Sequence, residues 1–530
     1  MPLYLHQQTA RERYRHESII PLFFDPGLGK TCTALTIAQD KYEDGEIDCV
    51  LVIAPNKVDK QWAIEQVPLW VTVDYNVYCN KKDKKPLPYY KDKLNIVCVN
   101  IDQFSTTAAY MRYAEWVNAH DTMIILDEAT KIKHPKSLRT QRLLTIFNDV
   151  TKRRNTVIAS VPKTKARCIL TGTPITEGAF DVWSMFEFLD PGYFGMNQFQ
   201  FQNHYGLFYS IVVNGRTIRV LLNEETWARI HAMDSFETAN LQFGVSLSAF
   251  TYIKGQDHYQ GPYRNIEELR QKICETAMFV RITDVVDMPE RVYDRKLLEM
   301  SPEQAKAYYE MENLLLTSYK DKDVTAKAKI VMYMRLQQIA SGFISADPDD
   351  DVEDPRREIV WFDKVPKMDQ LLMDVEEASE PTIIVCHFSA EASRIYDELT
   401  AKGYKCCLRT GWSSIGSEED WKAGKYQFMV ANEKVIAMGF NYQISHHMIF
   451  YSCTFSLEDR IQIEAREWRI GQTKTCIYTD YIMIDTIEMK IYAVLKQKKS
   501  LSDYVRDNSV SDMLTKRDEV FDEEYKDVLF

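Results

Sequence analysis

Three groups of residues in this chain have the types and spacing to do phosphate chemistry. The first is Asp25-Pro26-Gly27-Leu28-Gly29-Lys30-Thr31. Gly27 and Gly29 let backbone N–H groups come close to a polyphosphate, and a helix opening at Lys30 adds its partial positive charge. Lys30 would reach the β- and γ-phosphates, and the Thr31 hydroxyl would hold Mg²⁺. The full pattern has a Gly five residues before Gly29, where this chain has Phe24. The second group is Asp127-Glu128. Asp127 would hold the Mg²⁺ through water, and Glu128 would orient or deprotonate an attacking water. The third is Arg466 with Arg469, whose spacing places both on one face of a helix. Two forked guanidinium groups grip a phosphate better than two lysines do, although they could equally bind carboxylates or a nucleic-acid backbone. Upstream, Gln7 carries an amide that both donates and accepts, the equipment to read an adenine edge.

The elements that must position these groups are legible around them. Ile19 to Phe24 is an apolar run that reads as a short buried strand, and Cys32 to Ala38 as the first turns of a helix. Cys49 to Ala54 is a second strand, stopped by Pro55. Asn56 to Val67 reads as a helix carrying Trp62 and Glu65, and Asn95 to Asn100 as a third strand. Met123 to Leu126 runs directly into Asp127-Glu128. Ile169-Leu170 leads into Thr171-Gly172-Thr173-Pro174, where two hydroxyls at a strand end suit a relay that senses the nucleotide. Strands alternating with helices imply a doubly wound parallel sheet, and ligands bind such sheets at the carboxyl ends of the strands. The second half repeats the pattern. Thr382 to Cys386 is a strand, Ala390 to Lys402 a helix, and Gln427 to Asn432 and Met448 to Tyr451 are further strands.

Composition bounds the reading. The chain has 530 residues, 45% hydrophobic and 27% charged, which is a globular balance long enough for about three or four compact units. The net charge of −12 argues against bulk electrostatic coating of nucleic acid but leaves room for a local basic groove. Two basic runs are candidates: Lys81, Lys82, Lys84 and Lys85, and the stretch from Lys152 to Arg167. Eleven cysteines without a secretory pattern or paired Cys-x-x-Cys sets suggest reduced thiols and no zinc site. Cys406 and Cys407 are adjacent and read as two faces of one strand. No apolar run approaches the ~20 residues of a membrane helix.

Asp25 to Thr31, Asp127 to Thr130 and Leu170 to Pro174 resemble the first three motifs of superfamily-two helicases. Asp127 to Ser137, and Ala54-Pro55 followed by Trp62 and Glu65, are similar to the SWI/SNF-type DNA translocases. Gly439-Phe440-Asn441, Asp459 to Gln472 with its Arg-x-x-Arg-Ile-Gly-Gln signature, and Thr486-Ile487-Glu488 strengthen the resemblance, which runs from about His6 to about Lys499. It implies two RecA-like lobes with parallel sheets flanked by helices, plus a mostly helical insertion and a small β-hairpin. The lobes fall at 1–195 and 291–500, the insertion at 196–290 and an acidic tail at 501–530. It implies ATP and Mg²⁺ as cofactors, Gly439 among the nucleotide-binding residues, and Arg466 and Arg469 as fingers to the γ-phosphate. With it come candidate nucleic-acid contacts: Pro55, Asn56, Lys133, Thr171, Thr173 and His387.

The chain departs from that family at three places. Thr130 stands where His is usual, Ala465 where Gly is usual, and Thr176-Glu177 where Gln-Asn often follows Thr-Pro-Ile. None removes a group needed for hydrolysis. The reading is therefore an ATP-dependent motor on double-stranded or branched DNA, compact as in phage and bacterial forms. It would work in the cytoplasm of a bacterial or phage-infected cell, or in a eukaryotic nucleus. An RNA-directed helicase of the same superfamily and a non-catalytic nucleotide-binding scaffold are the alternatives. Ser210 to Val220 reads as a hairpin with an Asn-Gly turn. Tyr263 to Leu269 opens a helix resembling the family's helical protrusion, and Asp347 to Glu353 is an acidic loop.

Overall fold

The computed structural model describes residues 3–79, 86–146, 164–213, 216–320, 326–345, 359–437, 442–452 and 454–506. Outside them lie Gly439, the Lys81 to Lys85 cluster, the basic run through Lys163, the Asn214-Gly215 turn, the Asp347 to Glu353 loop and the acidic tail beyond Arg506. The chain forms two compact units, one of Met1–Val285 with the segment from Ser500, the other of Val286–Lys499.

The first unit is built on strands β1 (Ile19–Phe24), β2 (Cys49–Ala54), β3 (Tyr75–Cys79), β4 (Leu94–Asn100), β5 (Thr122–Asp127), β6 (Ala166–Leu170) and β9 (Met278–Val280), in the spatial order β3-β4-β2-β5-β6-β1-β9. Every neighbouring pair is parallel. A parallel sheet is covered on both faces, so its strands read as continuous apolar runs without alternation. Phe23, Ile53, Val99, Leu126 and Ile169 project into one core, where Val182, Met185 and Phe186 of helix Asp181–Leu189 close over them. That burial contributes on the order of 1.5–3 kcal/mol per large side chain.

The insertion has a small core of its own around Leu207, Leu222, Trp227, Ile230, Phe243 and Ile253. It holds the antiparallel hairpin β7 (Phe208–Val213) and β8 (Arg216–Leu221), in which Phe208 faces Leu221. The chain then returns through helix Ile266–Thr276 to β9, which pairs with β1 and supplies the sheet's last strand.

The second unit carries β10 (Arg291–Leu298), β13 (Thr382–Cys386), β14 (Cys406–Arg409), β15 (Ser414–Ile415), β16 (Phe428–Asn432), β17 (His447–Phe450) and β18 (Cys476–Met483), ordered β10-β18-β17-β13-β16-β14-β15. Only the short edge strand β15 runs antiparallel to its neighbour. A separate two-stranded ribbon pairs β11 (Phe343–Ser345) with β12 (Ile359–Trp361). Cys406 and Cys407 do lie side by side on β14, and both are buried. Lys367, fully buried, donates to Glu488 Oε1 at 2.5 Å and to the Tyr451 carbonyl at 2.8 Å. Glu488 in turn accepts from the Met483 amide. This buried pair fastens the closing segment Thr486-Ile487-Glu488 to the sheet. Both units are thus α/β with parallel sheets. Among the described residues no helix is long and apolar enough to cross a membrane.

Candidate phosphate-binding and hydrolysis site

The cradle loop leaves β1 at Phe24 and enters helix Lys30–Glu43. Gly27 and Gly29 adopt φ of +87° and +76°, a left-handed backbone that side chains resist. At Gly29 a second constraint acts, because a Cβ there would fall 2.2 Å from Gln7 Nε2. Gln7 is buried and clasps the loop. Its Nε2 donates to the Leu28 carbonyl at 3.1 Å, and its Oε1 accepts from the Tyr4 amide at 2.9 Å. His6 Nε2 reaches the same carbonyl at 2.9 Å. Lys30 Nζ donates to the Phe24 carbonyl at 2.9 Å and the Asp25 carbonyl at 3.4 Å, so its ammonium stands over the loop it opens. Thr31, half-buried, occupies the first turn of the helix. Asp25, which the sequence places in the cradle motif without a role, ties the loop down: its Oδ2 accepts from the Ile282 amide just past β9.

Asp127 is the last residue of β5. In the sheet it is level with Leu170 of β6, which is level with Leu22 of β1. The acidic pair and the cradle therefore share one carboxyl edge, two strands apart. Asp127 is buried, and its Oδ2 accepts from Trp62 Nε1 at 2.8 Å. Burial pushes this carboxyl up, while the indole N–H and the nearby Lys30 charge pull it down. Glu128 follows in the left-handed region at φ +53°, half-exposed. Strain of this kind at a non-glycine residue gathers at functional sites, and here it turns Glu128 out of the strand line.

Trp62 owes its place to an irregularity. The expected helix Asn56 to Val67 is broken into Val58–Gln61, a π-helical turn Trp62–Gln66, and Val67–Trp70. The π turn re-aims the helix at the point where the indole meets Asp127. Ahead of it, Pro55 is half-buried and Asn56 exposed, before Lys57 at φ +73°.

The Thr171-Gly172-Thr173 turn packs on the cradle, since a Cβ on Gly172 would lie 3.0 Å from Pro26 Cδ. Thr171 and Thr173 are both buried, and Thr171 Oγ1 accepts from the Thr173 amide at 3.2 Å. That placement suits a sensor within the protein and gives neither hydroxyl a surface position. The next turn is closed by Asp181, whose Oδ2 accepts from the Thr176, Glu177 and Gly178 amides. Lys133 donates to Thr176 Oγ1 at 3.1 Å and pairs with Glu177 at 2.9 Å. The departure at Thr176-Glu177 thus supplies two partners of Lys133. Thr130 is buried. Of the basic run, Arg167 is also buried and donates to the carbonyls of Phe188 and Leu189, a packing role.

In the second unit, His387 directly follows β13 and its Nδ1 pairs with Glu433 Oε1 at 2.6 Å. Burial works against the imidazolium, but Glu433 outweighs it and the ring's pKa is raised. Helix Leu457–Glu467 stops one residue after Arg466. Trp468 caps it with φ −88° and ψ +87°, and Arg469 lies in the turn beyond. The one-face geometry expected from their spacing is therefore corrected: the helix terminates between the two arginines. They also differ in fixation. Arg466 Nε donates to the Ala437 carbonyl at 3.0 Å, and its Nη2 reaches the same oxygen. Arg469 is held by its backbone, whose carbonyl accepts from Gln443 Nε2 at 3.0 Å and the Gln472 amide at 3.0 Å. Between them Glu467 is fully buried, and neither carboxyl oxygen has a partner in hydrogen-bonding geometry among the described residues. Burial pushes its pKa up to about 8, the nearby Ser445 hydroxyl offsetting only part of the cost.

A parallel-sheet unit with a glycine cradle and an Asp-Glu pair on one edge, together with a second parallel-sheet unit carrying the two-arginine segment, defines a helicase-like nucleotide-binding core. The family comparison agrees. The SNF2-related domain matches residues 10–342 and the helicase conserved C-terminal domain matches residues 363–471, so the chain belongs to the SNF2-related family. It is 21% identical over 533 residues to the "DNA repair and recombination protein RAD54-like" of Drosophila ananassae, covering 92% of this chain and 59% of that protein's length. It is 21% identical over 496 residues to the "Putative protein p41" of Acyrthosiphon pisum secondary endosymbiont phage 1, covering 90% of this chain and 92% of that one. Among solved structures, the Sulfolobus solfataricus SWI2/SNF2 ATPase core in complex with dsDNA is 21% identical, with a TM-score of 0.40, covering 100% of this chain and 97% of that chain.

Proposed function

We propose that this protein is an ATP-dependent DNA translocase acting on double-stranded or branched DNA. The observation that carries the proposal is the shared sheet edge: Gly27, Gly29 and Lys30 at one strand end, Asp127 and Glu128 two strands away. Lys30 and the amides of the loop bind the phosphates, and Gln7, already seated against Leu28, reads the adenine. Thr31 and Asp127 are the residues that would hold Mg²⁺. A buried carboxylate whose burial is only partly offset fits a cation, which when bound neutralises phosphate charge. Glu128 orients and deprotonates the attacking water. Arg466 and Arg469 are assigned to the charge that develops on the transferred phosphoryl group, and Gly439 to nucleotide binding.

DNA as the track is supported by the name of one relative, a DNA repair and recombination protein. Pro55, Asn56 and His387 are proposed as backbone contacts, with Lys133 shared between DNA and Glu177. The range 196–290 is assigned as an insertion between the two lobes in sequence. The phage relative supports work in the cytoplasm of a bacterial or phage-infected cell. Tracking rests on phosphate contacts, so sequence preference should be slight and salt sensitivity strong. The test is steady-state ATP hydrolysis without nucleic acid and with duplex DNA, forked DNA, single-stranded DNA or RNA, at two salt concentrations. Stimulation by duplex or forked DNA that falls with salt supports the reading. Stimulation by RNA alone replaces it with an RNA-directed helicase, and no hydrolysis with any of them replaces it with a scaffold.

A further inference from the structure

In the second unit a cavity of about 410 Å³ is lined by Trp361, Trp412, Arg394, Ser393 and Asp397. None of these belongs to the phosphate or arginine groups above. Trp412 is 71% exposed, an unusual position for the largest apolar side chain. Its loop is nevertheless fixed. Thr410 Oγ1 accepts from the Trp412 amide at 3.2 Å and the Ser413 amide at 2.9 Å, and the Thr410 amide donates to the Ser413 carbonyl at 2.9 Å. Trp361 closes β12, packed on Phe343 with ring centroids 4.9 Å apart. The Arg394 guanidinium lies 4.4 Å from the Trp361 ring centroid. Its Nη1 is buried yet has no hydrogen-bond partner among the described residues.

We propose that this cavity is a stacking site for an unpaired base of single-stranded DNA, with Trp412 as the platform and Arg394, held on the Trp361 ring, as donor to the adjoining phosphate. Indole faces accept any base, and Arg combines stacking with a forked donor set. A cationic ligand is disfavoured, because Arg394 already occupies the Trp361 face. An aliphatic ligand would leave the buried N–H unmet. Asp397 and Ser393 supply an acceptor and a hydroxyl to a base edge. Duplex bases are stacked on one another and offer no face, so the site selects frayed, forked or displaced strands. It deepens the DNA-motor reading by naming branched DNA, and not plain duplex, as the preferred substrate.

The test follows intrinsic tryptophan fluorescence and affinity of the full chain, without nucleotide, for a short single strand, a fork and a blunt duplex. Trp412→Ala should lower single-strand and fork affinity roughly tenfold and remove the quenching, with blunt-duplex affinity and duplex-stimulated hydrolysis within about twofold of wild type. Trp412→Phe should recover most of the loss, and Arg394→Ala should weaken single-strand binding and its salt dependence together. Equal losses on all three DNAs, unchanged single-strand affinity in Trp412→Ala, or tighter binding of RNA than of DNA of the same sequence would overturn the proposal. Failure of the motor reading is separable. If no DNA stimulates hydrolysis while Trp412-dependent strand binding persists, the motor fails and the site stands. Duplex-stimulated hydrolysis without Trp412-dependent binding overturns the site alone.

Discussion

Trp62 Nε1 donates to Asp127 Oδ2 at 2.8 Å, joining the helical segment after β2 to the acidic end of β5. The bond favours the ionised carboxylate against the burial that opposes it. Trp62→Phe keeps the packing and deletes the donor, so the Asp127 pKa should rise further. Activity that needs ionised Asp127 would then fail at higher pH. The acid limb of the ATPase pH profile should move up by roughly half to one unit, with the basic limb unchanged. A uniform drop at all pH values would assign Trp62 to packing alone.

Gly29 and Gln7 form a second coupled pair. Gly29→Ala places a methyl against Gln7 Nε2 at a φ of +76°. The cost should be about 1–3 kcal/mol in denaturant unfolding, together with weakened nucleotide binding. Adding Gln7→Ala relieves the clash and leaves the backbone strain, so stability should return in part. Nucleotide affinity should stay low, because the adenine-reading amide is gone. Simple additivity of the two stability changes would show that the residues do not press on each other.

The two arginines should separate in their effects. Arg469 is anchored through its carbonyl, so Arg469→Ala should leave the melting temperature and ATP affinity near wild type and reduce turnover by at least roughly a hundredfold. Arg466 also ties Glu467's helix to Ala437, so Arg466→Ala should lose turnover and stability together. ATP affinity lost in step with turnover in Arg469→Ala would contradict a role confined to the transition state.

How much of this was readable without the structure follows from distance along the chain. The cradle, Asp127-Glu128 and the strands that carry them are contiguous apolar runs closed by small or acidic residues, and they fold as read. The Trp62–Asp127 bond spans separate elements, and no local pattern announces it; the sequence shows Trp62 only as a residue of a helix and of a resembling motif. The π turn that aims it, and the end of the helix at Glu467, break otherwise regular spacing for tertiary reasons. Arg466-x-x-Arg469 continues a helical period in sequence, but the chain turns at Trp468, whose indole donates to the Pro289 carbonyl at 2.7 Å. The functional meaning of Thr176 and Glu177 was equally hidden until both were found on Lys133.

Glu467 gives a pH signature to stability. Its folded pKa of about 8 lies above the ordinary 4.5, so the folded state holds a proton that the unfolded state releases between those values. The folded state is therefore least penalised below about pH 4.5 and loses stability as pH rises towards 8. Glu467→Gln removes the titration. Its stability should match wild type near pH 5 and exceed it by more than about 1 kcal/mol at pH 8, read by denaturant unfolding. A wild-type curve parallel to that of Glu467→Gln across this range would contradict the buried neutral carboxyl.

Translocation itself is tested most directly by displacement of a triplex-forming strand from linear duplex DNA. The wild-type chain with ATP and Mg²⁺ should release the third strand at a rate that falls with salt. Glu128→Gln should bind the same DNA and ATP and release nothing, since only its water-activating carboxylate is lost. Wild-type release that needs no hydrolysable ATP, or release by Glu128→Gln at the wild-type rate, would contradict the motor account.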